Sequence, residues 1–162
     1  FGYKLSVSVD HKHGFIRGVA TGTASEHDGH HFDEVLDPHN TGKEVNADKA
    51  YPSAQRREML RVLGFKDGLQ RKAKAGKPLS DCQQRRNQRI AKKRAKVEHV
   101  FAGIRHMGGK FVRSIGQARA STTMTLMAAC YNLKRLASFL DRKVDAFYKA
   151  KPSKMPVRLK AA

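Results

Sequence analysis

Tryptophan is absent, cysteine occurs only twice, and acids are scarce: 14 Asp and Glu stand against 33 Lys and Arg. Cys82 and Cys130 lie far apart and form no Cys-x-x-Cys pair, which argues against a disulfide framework and a thiolate zinc site. We expect both to be small buried apolar residues in a reducing cytoplasm. The longest apolar run, Leu126 to Tyr131, falls far short of the ~20 residues that span a bilayer, and no secretory pattern opens the chain. A membrane protein is therefore not expected.

What is abundant is positive charge. A formal net charge of +19 on 162 residues and a pI near 10.4 create a field that attracts phosphate backbones, so nucleic acid is the expected partner and the nucleoid the expected location. The charge is unevenly placed. Residues 1–50 hold five Lys and Arg against eight Asp and Glu, whereas residues 51–162 hold 28 against six. Hydrophobic residues make up 40% of the chain, enough for the core of one domain.

Apolar periodicity gives the expected elements. Tyr3 to Asp10 alternates with the period of a half-buried strand, Phe15 to Thr23 reads as a second, and His11–Gly14 joins them as a hairpin. Ser25 to Asp28 has the form of a helix start, with Phe32, Val35 and Leu36 on its buried stripe. A strand over Glu44–Ala47 delivers Asp48 at its carboxyl end. Ser53 opens a helix with Met59, Leu60 and Leu63 inward and Gly64 as its stop, and a strand lies within Phe65–Lys72. Ser80 and Gln83 form a capping box for a long helix reaching about Met107, with Ile90, Val97, Phe101 and Ile104 on one stripe. Gly108 and Gly109 break it. The last helix, from about Ala118 to Lys143, carries Met124, Met127, Tyr131, Leu133, Leu136, Ala137 and Leu140. Residues 146–162 read as a basic disordered tail.

Glu98 is the only acid between Asp81 and Asp141, and it lies among Lys92, Lys93, Arg94 and Lys96. Such a carboxylate is either a salt-bridge partner or a metal ligand beside a polyanion. Two acids, one at a strand end and one on a later helix, suit a hard cation such as Mg²⁺, which takes oxygen ligands. Arg94 is placed either to contact a phosphate or to pair with Glu98 one turn on. The lysines are phosphate contacts or simply a solvated basic face. His27, Asp28, His30, His31 and Asp33 also fall close together, but their spacing is read as exposed histidines at a helix terminus and not as a zinc site. His99 is expected to be packed or hydrogen-bonded.

The strings FGYKLSVSVD, TASEHD at residues 23–28, FDEVLD, ADKAY at 47–51, LQRKAKAGKPLS, RAKVEHVF at 94–101, MGGKFVRSIGQARA and YNLKRL at 131–136, in this order and spacing, resemble the bacterial insertion-sequence transposases of the DDE superfamily. The resemblance covers nearly the whole chain. It implies an α/β fold with a ribonuclease-H-like mixed sheet flanked by helices, residues 1–145 forming part of a catalytic domain. It implies Asp48 as the second catalytic acid and metal ligand and Glu98 as the third, with Mg²⁺ or Mn²⁺ as cofactor, DNA ends and target DNA as partners, and a homodimer as a compatible state. Lys92, Lys93, Arg94 and Lys96 become DNA-binding residues, and Leu133 core.

The family's first catalytic aspartate lies on a central strand upstream of the FGYK-like segment, so the chain is expected to be N-terminally truncated and inactive alone. Asp10 matches a hairpin position and is expected to shape a turn. The competing expectation is a non-catalytic basic nucleic-acid-binding protein or an inactive transposase remnant.

Overall fold

A computed structural model describes residues 2–40, 42–109 and 111–149. Strands β1 (Tyr3–Val9) and β2 (Ile16–Thr23) form the expected antiparallel hairpin, with Tyr3 opposite Thr23 and Val7 opposite Val19. Asp10 shapes the turn: its carboxylate accepts the Lys12 N–H at 3.2 Å and the His13 N–H at 2.7 Å. Gly14 completes the turn at φ 74°, a left-handed conformation that glycine adopts without a Cβ clash.

The first helical segment is shorter than the sequence pattern predicts. It is a 3-10 turn over Asp28–His31 followed by a single turn, α1 (Phe32–Val35). Its cap is not Ser25 but His27, whose ring accepts the Gly29 N–H. The Ser25 hydroxyl instead lies 3.0 Å from that of Thr23. Strand β3 (Glu44–Ala47) follows, then α2 (Ala54–Val62), with the Ser53 hydroxyl accepting from Arg56 N–H as expected. The helix stops at Gly64, which has φ 74°. Leu60 is fully buried, but Leu63 is exposed, because the chain turns at that point. Strand β4 (Lys66–Leu69) pairs in parallel with β3, Glu44 opposite Lys66 and Ala47 opposite Leu69.

Helix α3 (Asp81–His106) starts at the expected Ser80–Gln83 capping box, and α4 (Gln117–Lys149) follows a glycine-containing link. Helix α4 continues past Lys143, so residues 146–149 are helical; the rest of the expected tail lies outside the described residues.

Two apolar clusters result. One joins Phe32, Ala47, Leu60, Phe65 and Leu69 around β3 and β4. The other joins Ile16, Val100, Ile104 and Ala128, with Val7, Val19 and Tyr131 packed against it. On α3 the buried positions include Val100, at 1% exposure, whereas Val97 and Phe101 are only half-buried. On α4 the inward face carries Ala120, Met124 and Ala128. Leu133, expected in the core, is 66% exposed, and Leu136 and Leu140 also face outward. Both cysteines, expected to be buried, are exposed.

The fold is thus mixed α/β, but the strands form two separate two-stranded sheets and not one continuous sheet. Between them lies a cavity of about 480 Å³, bordered by the unbroken runs Leu5–Lys12 and Glu44–Asp48. Alternate residues of a strand point to opposite faces, so a cavity that touches consecutive residues of both strands lies against their edges. Phe32, Val35 and Leu36 also line it, as do Val97 and Phe101 of α3. Among the described residues the buried Ser8 Oγ and Asn46 Oδ1 have no hydrogen-bond partner, and each leans over the glycine paired with it, Gly18 of β2 and Gly68 of β4.

Candidate functional site

Asp48 follows directly on β3, where Ala47 is drawn into the core and the next residue emerges at the strand end. Its Oδ1 accepts the Lys49 N–H at 2.6 Å, and its Oδ2 lies 3.6 Å from Arg94 Nη1 of α3. The Asp48 side chain is 44% exposed and borders the cavity. Arg94 therefore pairs with the strand-end acid and not with Glu98, the ion pair that sequence offered as one of its two placements.

Glu98 lies one helical turn beyond Arg94, ~40° away around the α3 axis, where i and i+4 side chains are neighbours. It is exposed and has no hydrogen bond or ion pair among the described residues, and it does not line the cavity. Asp48 and Arg94 thus meet where α3 contacts β3, and Glu98 follows Arg94 one turn further along the helix. Among the described residues no three His, Cys, Asp or Glu side chains converge as a metal-binding group.

The three lysines of α3 divide into two kinds. Lys93 Nζ sits 2.6 Å from Glu44 Oε2, and Lys96 donates to the His11 carbonyl, so both tie the helix to the borders of the cavity. Lys92 is exposed, without a partner among the described residues. A polyanion approaching α3 would meet Lys92 free, while Lys93 and Lys96 would have to exchange their present contacts. Exposed ion pairs contribute little, typically below ~1 kcal/mol, so this exchange costs little.

Several structural polar residues were not singled out by the sequence pattern. Arg86 donates to the carbonyls of Leu69 at 2.8 Å and Asp67 at 2.6 Å, and Asn87 exchanges hydrogen bonds with the Arg71 backbone at 2.9 Å each way. These bonds fix the start of α3 to β4 and thereby set the angle at which Arg94 reaches Asp48. Asn132 accepts the Ile16 N–H at 2.9 Å and donates to the Ile16 carbonyl at 2.8 Å. Arg135 donates to the His13 carbonyl at 2.9 Å. The only hint available in sequence was that Asn87 and Asn132 fall on apolar helix faces, where a buried amide must find backbone partners.

His31 is buried, contrary to expectation: its Nε2 lies 2.9 Å from Glu26 and its Nδ1 3.4 Å from Glu34. His27 and His30 are exposed. His99 is exposed as well, and so differs from the packed residue that was expected. Three carboxyls carry shifted affinities for protons. The Thr23 hydroxyl, then the Thr23 backbone, holds Glu26 below the ordinary carboxylate range. The Arg17 guanidinium, then the His39 N–H, does the same for Asp37. Burial works to raise Asp10, but the N–H groups of His13 and Lys12 outweigh it and lower the group.

No helix among the described residues is long and apolar enough to cross a membrane. No solved structure matches the chain. The family described as "Transposase DDE domain" matches residues 1–133. The chain is also 32% identical over 147 residues to the transposase for insertion sequence element IS1106 of Neisseria meningitidis serogroup B, an alignment that covers 90% of this chain and 50% of that protein. The chain therefore spans about half the length of the curated relative it matches. By the extent of both matches, it belongs to the insertion-sequence transposases with a DDE domain.

Proposed function

We propose that the chain serves DNA transposition, with Asp48 and Glu98 as two carboxylates of a site for phosphodiester hydrolysis and strand transfer at transposon ends. The observation that supports this most directly is the pairing of Asp48 with Arg94 where α3 contacts β3, with Glu98 one helical turn further along α3. The donor chemistry suits Mg²⁺ or Mn²⁺: both acids offer carboxylate oxygens, Asp48 is half-exposed, and Asp48 Oδ2 already faces a cationic group. Magnesium is commonly held by only one or two carboxylates plus substrate phosphates. When bound, such an ion supplies Lewis acidity and a nucleophile at neutral pH.

The residues of the chain contribute position and charge. Lys92, Lys93, Arg94 and Lys96 lie on the helix that carries Glu98; Arg94, one turn from Glu98, would hold a DNA phosphate beside it, while the three lysines, more than ~100° away around the axis, would meet the DNA backbone on other sides of the helix. Arg94 also supplies a positive charge next to Asp48, and on DNA binding it would exchange that carboxylate for a phosphate. Sequence-independent contacts of this kind position a duplex without reading it.

The cavity between the sheets is read as the seat of a central strand of a ribonuclease-H-like sheet. Its two bordering strand edges and its apolar lining from Phe32, Val35, Val97 and Phe101 support a β-strand as occupant. A strand buried on both faces is apolar almost throughout. An acid at one end of it would stand near Asp48 and complete a three-carboxylate site. Residues 1–162 alone are accordingly expected to bind DNA without cutting it, the behaviour shared with a non-catalytic binding protein.

Two measurements separate these readings. Calorimetric titration of Mn²⁺ into the chain with transposon-end DNA should show a binding event lost in Asp48→Asn and in Glu98→Gln; retention of full affinity in both would falsify the site. A synthetic apolar strand peptide with one Asp at its end should raise the melting temperature of the chain. No rise would sink the strand reading while leaving the two acids in place.

A further inference from the structure

His31 is the only buried histidine among the described residues, and both of its ring nitrogens face carboxylates. Nε2 lies 2.9 Å from Glu26 Oε2, and Nδ1 lies 3.4 Å from Glu34 Oε2. Glu26 is itself fixed, because its Oε1 accepts the Thr23 hydroxyl at 2.9 Å. The hairpin makes room for this arrangement at Gly22 of β2, where a Cβ would collide with both His31 Nε2 and Glu26 Oε2. Other charged groups approach from the neighbouring elements. On β1, Lys4 donates to the Glu26 carbonyl at 2.9 Å. On α2, Arg56 donates to the Gly29 and Tyr51 carbonyls, lies 5.5 Å over the Phe32 ring and stands 3.9 Å from Asp33. His27 and His30, on the same segment as His31, are exposed. Lysine and arginine carry no acceptor, so the two carboxylates are what the ring nitrogens meet.

Counting protons decides the state of the ring. An ionised carboxylate only accepts, and a neutral imidazole has one N–H and one bare lone pair. With a carboxylate at each nitrogen, a neutral ring would set that lone pair against a carboxylate oxygen. We propose that His31 is an imidazolium donating from both nitrogens, and that loss of its Nδ1 proton on alkalinisation releases Glu34 and loosens the segment that joins the two sheets. The contact to Glu34 is the one that gives way: it is the longer, and the Glu34 side chain is 61% exposed, against 34% for Glu26. Nε2 keeps its proton on Glu26.

The position of this clasp gives it reach. His31 directly precedes Phe32, which is buried in the β3–β4 cluster, while α1 packs on β2. A change at His31 therefore acts on the docking of the two sheets and, through it, on the contact of α3 with β3 where Arg94 meets Asp48. The sign follows from linkage. A histidine whose charged form gains partners on folding stabilises the fold while it is protonated and loses that contribution as pH rises through its titration. Histidine is the side chain that ordinarily changes charge between about pH 5 and 8, so the clasp responds where glutamates stay ionised.

The test is a titration of the full chain, uniformly labelled with ¹⁵N, from about pH 5.5 to 8, the range of histidine. Long-range proton–nitrogen spectra report each ring nitrogen, and His31→Gln assigns the His31 signals. Both nitrogens of His31 should be protonated at the acid end, and only Nδ1 should lose its proton as pH rises. Hydrogen-exchange protection factors over residues 29–36 should fall in step by roughly threefold, the scale of one exposed ion pair. Glu34→Gln keeps His31 and its Glu26 partner and should remove most of that fall; it also serves if His31→Gln does not fold. A ring with a single protonated nitrogen at the acid end, loss of the proton from Nε2, protection that ignores the titration, or an equal fall in Glu34→Gln would each overturn the proposal. None of these readouts involves a metal or DNA, so their failure is distinct from failure of the catalytic reading.

Discussion

The two halves of the molecule solve the same problem by different routes. Strands β1 and β2 are consecutive, joined by a short turn, and held to a helix more than 110 residues away in sequence by the two bonds between Asn132 and Ile16. Strands β3 and β4 are parallel, so they require a crossover, which α2 provides, and α3 is attached to them locally through Arg86 and Asn87. Each half therefore has its own apolar cluster and its own polar clasp. What joins them is not a sheet but two helices: α1 places Phe32 in the β3–β4 cluster while packing on β2, and α3 touches β1 and β3 across the cavity. The site proposed for chemistry lies on that junction, where Arg94 meets Asp48. Its geometry depends on both halves remaining docked.

The comparison can be broken most forcefully at Leu69, which is fully buried in the β3–β4 cluster. Truncating a buried leucine to alanine costs about 2–5 kcal/mol through lost transfer energy and the cavity left behind. Leu69→Ala should therefore lower the urea midpoint sharply. Because α1 and α3 contact both halves, hairpin amides should lose hydrogen-exchange protection together with those of β3 and β4. Loss confined to β3 and β4 would show that the halves unfold independently.

A smaller effect is expected at Asn132. Its side chain satisfies both backbone groups of Ile16, a buried residue. Asn132→Ala leaves a donor and an acceptor without partners, at about 1–3 kcal/mol for an unsatisfied buried group. The loss should be seen in urea unfolding, with the largest drop in amide protection at Ile16 and its neighbours. Unchanged protection there would mean that water replaces the side chain and that the α4 clasp is dispensable.

The legibility of the sequence follows the same division. The hairpin, the Ser53 and Ser80 caps, the Gly64 stop and β3 with Asp48 at its end depend on local rules, and each stands where the residues indicated. Elements that depend on distant partners were less readable. Leu133 and Leu136 were expected inside because α4 is apolar on two sides, and periodicity cannot tell which side the hairpin covers. Cys82 and Cys130 were expected to be buried on the habits of cysteine alone, but both fall on outward helix faces. On α3, Val100 is buried where Val97 and Phe101 look towards the cavity, since the stripe that meets α4 is displaced from the one that sequence spacing favours. At the proposed site, Asp48 stood out in sequence as an acid at a strand end and Glu98 as an acid in a basic helix. The Arg94–Asp48 pair did not, since the angle of α3 is set by Arg86 and Asn87 against β4.

Acid offers the gentlest way to separate the halves, as Asp10, Glu26 and Asp37 all border the hairpin half. Each is held below its ordinary proton affinity by hydrogen bonds made in the folded state, to the His13 and Lys12 N–H groups, to Thr23, and to Arg17 and the His39 N–H. A carboxyl with a lowered folded-state pKa stabilises the fold above its unfolded value near 4 and loses that contribution as pH falls through the folded value. Acidification from pH 5 to pH 3 should thus diminish amide protection in β1 and β2 before β3 and β4. These groups are only half-buried and remain open to solvent screening, so the effect is small and is further reduced by salt. Asp37→Asn removes one of the three and should flatten the pH dependence of hairpin protection without abolishing it. Equal loss of protection in both halves, with or without Asp37, would show that acid acts on the junction between them and not on the hairpin.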